Sequence, residues 1–190
     1  MQLERIQAAL REQKLDGWLF YDHHNRDLLA YKILGLDGTK MTSRRWYYFI
    51  PAQGAPGKLV HAIESAKLDS LPGDKHVYLP WTEQQAFLRQ LLGSAKRVAM
   101  QYSPNNAIPY ISIVDGGTID LIRSFKVEVV SSADLVQVFE AAITPEDFET
   151  HLEAGRRIHA VLDRTFAEVR RRVLAGGEPP EYEIQQFMVG

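Results

Sequence analysis

The chain has 190 residues, 45% hydrophobic and 10% aromatic, with 24 acidic and 22 basic side chains and a formal net charge of −2. That length and apolar content allow one domain plus a fragment, or one large domain, with a real core. The interspersed charge argues against nucleic acid as the main partner, because phosphate binding needs a concentrated basic face, and the absence of cysteine excludes disulfides, thiolate nucleophiles and cysteine metal sites and points to a reducing cytoplasm.

The opening residues MQLERIQAALREQ are too polar for a signal peptide, and no apolar run approaches a membrane span. Leu3, Ile6 and Leu10 line one side of a predicted first helix, with Gly17 as its stop. Trp18, Leu19, Phe20 and Tyr21 form the continuous apolar run of a strand buried on both faces, and the polar Asp22, His23, His24 and Asn25 follow at its carboxyl end. A short helix comes next, with Leu28, Leu29, Ile33 and Leu34 inward and Gly35 and Gly38 breaking it.

Residues 45–50 are aromatic and β-rich, and the turn-forming 51–57 leads to 58–63, so the pattern predicts an antiparallel hairpin. The remaining expectations are a helical turn at 66–71, strands at 76–79, 97–102 and 127–130, and a helix over 81–92. A helix within 108–123 is interrupted near Gly116 and Gly117, and Ser131 or Ser132 caps a last short helix through Phe139. The alternation gives an α/β fold: a mixed β-sheet flanked by helices, with a boundary within 140–145.

Residues 143–177 then read as one long helix. Thr144 caps it, Pro145 suits its first position, Glu146, Asp147 and Glu149 meet the positive end of the helix dipole, and Gly176 and Gly177 stop it. Phe148, Leu152, Ile158, Leu162, Phe166, Val169 and Val173 recur as a single stripe that requires a partner surface. Each such side chain is worth about 1.5–3 kcal/mol when buried. The stripe is therefore expected to pack on a second copy of the chain, or the helix to lose order past Gly155.

Local chemistry motifs are few. There is no dinucleotide or phosphate-loop fingerprint, no nucleophile elbow and no zinc-protease motif. The sequence Asp115-Gly116-Gly117-Thr118 reads as an ordinary turn rather than a phosphate loop, because no lysine accompanies it. The histidines show no metal spacing: His151 and His159 are eight residues, or about 12 Å, apart along a helix. The best candidate surface is the loop of Asp22, His23, His24, Asn25 and Arg26, since open α/β sheets place ligands beyond the carboxyl ends of their strands. The competing reading is that Asp22 or Asn25 simply caps the next helix. Arg44 and Arg45 form a pair suited to holding a carboxylate, though such pairs are more often plain surface charge.

Taken together, WLFYDHHNRDLLAY, RWYYFIPAQGAPGKLVHAIE and RVAMQYSPNNAIPY resemble the amino-terminal domain of the creatinase, aminopeptidase P and prolidase family. The join ITPEDFETHLEAGRRIHAVLDRTFAEV resembles that family's linker and the first helix of its "pita-bread" catalytic domain, and PPEYEIQQFMVG resembles the start of the next helix. The family often carries a basic residue shortly before the join; here that stretch is Phe139, Glu140, Ala141, Ala142 and Ile143.

The resemblance implies a ribonuclease H-like amino-terminal domain over 1–142, then a linker helix and the beginning of a catalytic domain over 143–190. It implies that these residues are the non-catalytic portion of a metal-dependent Xaa-Pro aminopeptidase or dipeptidase, cytoplasmic and homodimeric, acting on short proline-containing peptides. Its two divalent ions (Mn, Co or Zn) would be held by two aspartates, a histidine and two glutamates that lie beyond Gly190 in the family pattern. No catalytic or metal residue therefore falls on this chain, and Asp22, His23, His24 and Asn25 are the candidate substrate-facing residues. The alternatives are a non-catalytic protein-binding module of the same fold and a creatinase-like amidinohydrolase.

Overall fold

A computed structural model describes residues 2–190, which form two compact units, one ending at Ala142 and one spanning Ile143–Gly190. In the first unit, α1 (Leu3–Glu12), β1 (Gly17–Asp22) and α2 (Leu28–Leu34) lead into the antiparallel hairpin of β2 (Trp46–Pro51) and β3 (Gly57–His61). Then come β4 (Asp74–Tyr78), α3 (Trp81–Leu92), β5 (Arg97–Met100), α4 (Gly116–Ser124), β6 (Glu128–Ser131) and α5 (Ala133–Glu140). The six strands form one mixed sheet in the order β4-β3-β2-β1-β5-β6. Strands β1, β3, β4, β5 and β6 run one way and β2 runs against them. The expected α/β architecture, a mixed sheet flanked by helices, is what the chain adopts.

Both sheet faces are covered. Strand side chains alternate, so Trp18, Phe20, Trp46, Tyr48, Ile50 and Val60 pack with α1, α2 and α5, while Leu19, Tyr47, Phe49, Leu59, Val98 and Met100 pack with α3 and α4. Every residue of β1 is buried, which explains its unbroken apolar run. Trp18 stacks on Phe20 with centroids 4.3 Å apart, and its indole N–H donates to Gln101 Oε1.

Several local expectations are corrected. Helix α1 is stopped by Lys14, at φ 54, with the Leu15 amide returning to the Leu10 carbonyl at 2.9 Å. Gly17 instead opens β1, where the Phe49 ring occupies the space a Cβ would need. Leu28 is 63% exposed, because α2 turns Ala30, Tyr31, Ile33 and Leu34 inward, while Gly35 ends the helix at φ 67. The helical turn expected at 66–71 is present as a run of hydrogen-bonded turns, with the Asp69 amide on the Ala66 carbonyl and the Leu71 amide on the Leu68 carbonyl, both at 3.1 Å, and it follows a 3-10 turn at Ala62–Glu64. Gly116 and Gly117 begin α4 rather than interrupting a helix: Asp115 caps it by accepting from the Thr118 amide and hydroxyl, both at 2.8 Å. Ser132 stands at the start of α5 without a side-chain bond, and Ser131 Oγ accepts from the Ala133 amide.

The second unit is α6 (Pro145–Leu174) and α7 (Glu181–Val189). A capping box starts α6: Asp147 N donates to Thr144 Oγ1, and Asp147 Oδ2 accepts from the Thr144 amide. Over 30 residues α6 spans about 45 Å and runs unbroken through Gly155. Its charged face is laced by Glu153 with Arg156 and Arg157, and by Glu168 with Arg171 and Arg172. The apolar stripe is not buried: Phe148, Leu152, Ile158, Leu162, Phe166 and Val173 are all exposed, because α7 is the only other helix of this unit. Among the described residues no helix is long and apolar enough to cross a membrane.

Candidate functional site

The carboxyl ends of β1, β3 and β4 and the amino end of β2 share one edge of the sheet, because Asp22 pairs with Trp46 and His61 with Tyr78 in register. That edge gathers the 22–26 loop, Arg44, Arg45, His61, Glu64 and Tyr78.

The loop is organised from within. Asp22 is 1% exposed; its Oδ1 accepts from the Arg26 amide at 2.7 Å and the Asp27 amide at 3.0 Å, and its Oδ2 accepts from the Asn25 amide at 3.0 Å. The Tyr31 hydroxyl lies 3.1 Å from Asp22 Oδ2 and 3.0 Å from Asn25 Oδ1, so its proton is placed between two acceptors. The Asn25 amide group reaches across to the carbonyls of Gly38 and Lys40, both at 3.0 Å, and Asn25 Oδ1 accepts from the Thr42 amide. The cap of α2 is Asp27, through Ala30 N at 2.9 Å, and not Asp22 or Asn25.

With Asp22 and Asn25 occupied by the loop's own donors, the side chains that face outward are His23, His24 and Arg26. The two histidine rings meet edge to face at 4.2 Å. His24 and Asn25 both adopt positive φ, 66 and 53, a conformation unusual for residues with a Cβ and tolerated best by residues such as these two. Such paired strain persists only where the surroundings hold it, here through the four hydrogen bonds to Asp22. Partial burial lowers the His23 pKa, the positive charges of His24, Arg26 and Arg45 add to that, and Asp22 opposes it. His23 is therefore a neutral imidazole at pH 7, able to donate from one ring nitrogen and accept at the other.

Arg45 is the second element. Glu64 accepts from the Ser43 amide and hydroxyl at 2.8 and 2.6 Å and from the Arg44 amide at 3.2 Å, which pins the approach to β2. Burial acts to raise the Glu64 pKa, but those three donors outweigh it and the carboxyl titrates below its usual range. The Arg44 guanidinium folds back onto the Ser43 carbonyl. Arg45 is exposed and makes no ion pair among the described residues. Of the two arginines singled out in the sequence, Arg45 is the one not folded back onto Ser43, and its guanidinium lies close enough to Tyr47 to act on that hydroxyl.

Behind Arg45 stands a group of tyrosines that the sequence pattern did not single out. The Tyr78 hydroxyl donates to the Arg45 carbonyl at 2.8 Å, the Tyr47 hydroxyl accepts from Gln84 at 2.9 Å, and the Tyr21 and Tyr47 rings lie 5.1 Å apart. Burial pushes Tyr78 up to about 12 and Tyr47 further, so both remain neutral phenols. Their faint signal is the pairing register, which sets these side chains on one face of the sheet from β1, β2 and β4.

The arrangement is suited to recognition. His61 is engaged with the Ile63 amide at 3.1 Å and His76 stacks on Phe87. No group of three or more His, Cys, Asp or Glu side chains among the described residues is placed to hold a metal ion. These residues do not fit a metal centre, and no metal-dependent step is assigned to them.

The sequence matches no protein-family model, and no curated protein matches it. Solved structures do match. The creatinase/prolidase N-terminal domain of an X-Pro dipeptidase from Streptococcus pyogenes aligns with a TM-score of 0.52 at 15% identity, covering 72% of this chain and 96% of that one. A proline dipeptidase structure from Streptococcus pneumoniae aligns at 0.50 and 22% identity, covering 75% and 98%. A dipeptidase from Pyrococcus horikoshii aligns at 0.57 and 17% identity, covering 90% of this chain and 44% of that one. The chain spans about half the length of the longer prolidases and dipeptidases it matches. What is shared at these identities is the fold: the first unit has that of the creatinase/prolidase amino-terminal domain.

Proposed function

We propose that residues 1–190 are the amino-terminal, non-catalytic portion of a metal-dependent Xaa-Pro peptidase. In this reading residues 1–142 are its amino-terminal domain, and 143–190 are the linker helix and the first part of the catalytic domain. The observation that carries the reading is the fold match over nearly all of a domain cut from an X-Pro dipeptidase. The sheet edge with His23, His24 and Arg45 adds a surface whose chemistry suits a short peptide: a guanidinium for the terminal carboxylate and a neutral imidazole for a polar backbone group. The protein works as a cytoplasmic homodimer, in which this domain narrows access so that only short proline-containing peptides reach the metal site. Hydrolysis of the bond before proline belongs to two divalent ions (Mn, Co or Zn) held beyond Gly190.

Metal stoichiometry tests the division of labour. The longer polypeptide carrying these residues should hold two divalent ions per subunit by elemental mass spectrometry, and residues 1–190 alone should hold none after dialysis. A longer polypeptide that binds no metal would favour a protein-binding module or metal-free creatinase-like chemistry.

A further inference from the structure

Two carboxylates lie within one loop, and their surroundings are opposite. Asp22 receives three backbone amides and stands beside a tyrosine hydroxyl. Asp27 is also fully buried, but fewer donors meet it: the Ala30 amide bonds its Oδ1 at 2.9 Å, the Leu29 amide exerts a weaker pull on the carboxyl, and its Oδ2 has no hydrogen-bond partner among the described residues. An ionised carboxylate there would carry an unsolvated oxygen next to the charge of Asp22; a neutral acid leaves one unpaired hydroxyl, which costs less than an unpaired buried charge.

We propose that Asp27 is a buried protonation latch: in its neutral form it holds the 22–26 loop and α2 together, and its ionisation loosens both. The consequence follows from connectivity. Asp27 caps α2 and gives its own amide to Asp22, while Asn25 ties the same loop to Gly38, Lys40 and Thr42. Admitting water to Oδ2 requires opening this network, so the change reaches the His23–His24 rim and the 38–42 segment.

The neighbouring ionisable groups do not supply a counter-charge. On α5, which packs against α2, Glu140 is paired with Lys32 at 3.5 Å and Asp134 is exposed. Lys67 lies over the Tyr31 ring at 4.8 Å and donates to the Lys40 carbonyl. His23, His24 and Arg26 lie outside on the loop, and Asp22 is the one charge whose influence reaches Asp27. Burial and Asp22 together push the Asp27 carboxyl up to about 7, against the pull of the Ala30 and Leu29 amides.

The latch belongs to the fold; its regulation of peptide access rests on the function proposed above. Carboxyl-carbon NMR titration of residues 1–190 reads it directly. Asp27 should titrate near neutrality, and a midpoint near 4 overturns the proposal. Hydrogen exchange supplies the second reading. Relative to Asp27→Asn at the same pH, amides in 22–42 of the wild type should exchange about tenfold faster at pH 8.5 and at matched rates at pH 5.5. Equal rates at both pH values overturn the latch. If Asp27→Asn does not fold, the wild-type titration still decides. Neither readout involves peptidase activity, so a failed latch and a failed functional assignment are distinguishable.

Discussion

The Tyr31 hydroxyl stands 3.1 Å from Asp22 Oδ2 and 3.2 Å from Thr42 Oγ1, joining the end of β1 to the segment that precedes β2. Burial pushes its phenol up to about 12, so it stays a donor throughout the physiological range. Tyr31→Phe removes one donor from a buried carboxylate while keeping the ring. The expected cost is about 1–3 kcal/mol, read as a lowered midpoint in urea unfolding with an unchanged m-value. An unchanged midpoint would mean that the bond contributes nothing net.

The Asp27 carboxyl sets the pH dependence of stability. The unfolded chain releases this proton near its ordinary value of 3.8, whereas the folded chain keeps it up to about 7. Between those values the native state binds more protons, so this contribution is fully present below pH 3.8 and is lost as pH rises through 7. Across the window it amounts to about 4 kcal/mol. Asp27→Asn retains a good capping side chain and should flatten that slope, making the variant more stable than the wild type at pH 8. Parallel wild-type and variant stability curves from pH 5 to 8.5 would contradict this.

Much of this fold is legible in the residues. The run 18–21 announces a doubly buried strand because apolar side chains are needed on both faces, and the helix Trp81–Leu92 begins and ends where its pattern says. Helix caps are less legible. A glycine pair looks like a break, yet Gly116 and Gly117 start a helix because the Asp115 side chain fixes the turn before them. Lys14 stops α1 from a backbone conformation that nothing in a lysine advertises. The place of the candidate loop after β1 is legible, but Asp27 as the cap and Asp22 as the loop's anchor depend on which oxygens face which amides. The tyrosines behind Arg45 come from three different strands, and only the strand register brings them together.

Arg45 should matter to substrate and little to folding, since it is exposed and makes no ion pair among the described residues. In the longer protein, Arg45→Ala is expected to raise KM for an Xaa-Pro dipeptide about tenfold, equivalent to about 1.4 kcal/mol, with kcat nearly unchanged. Arg45→Lys should recover only part of this, because a point charge replaces a bidentate fork. A variant indistinguishable from the wild type in KM would remove Arg45 from the substrate surface.

The uncovered stripe on α6 predicts self-association of residues 1–190. Ile158 and Phe166 are 67% and 66% exposed, and burying a pair of such side chains against a second copy contributes about 3–6 kcal/mol. Sedimentation should show a dimer for the wild type at micromolar concentration and a monomer for Ile158→Glu with Phe166→Glu. A wild-type monomer under those conditions would count against a packed stripe.

The assignment itself turns on hydrolysis. The longer polypeptide carrying these residues, loaded with Mn, Co or Zn, should cleave Xaa-Pro dipeptides or the first bond of Xaa-Pro tripeptides and leave matched peptides without proline intact, while residues 1–190 alone should be inactive. Turnover of Xaa-Pro peptides by residues 1–190 alone, or none by the metal-loaded longer protein, would contradict the account.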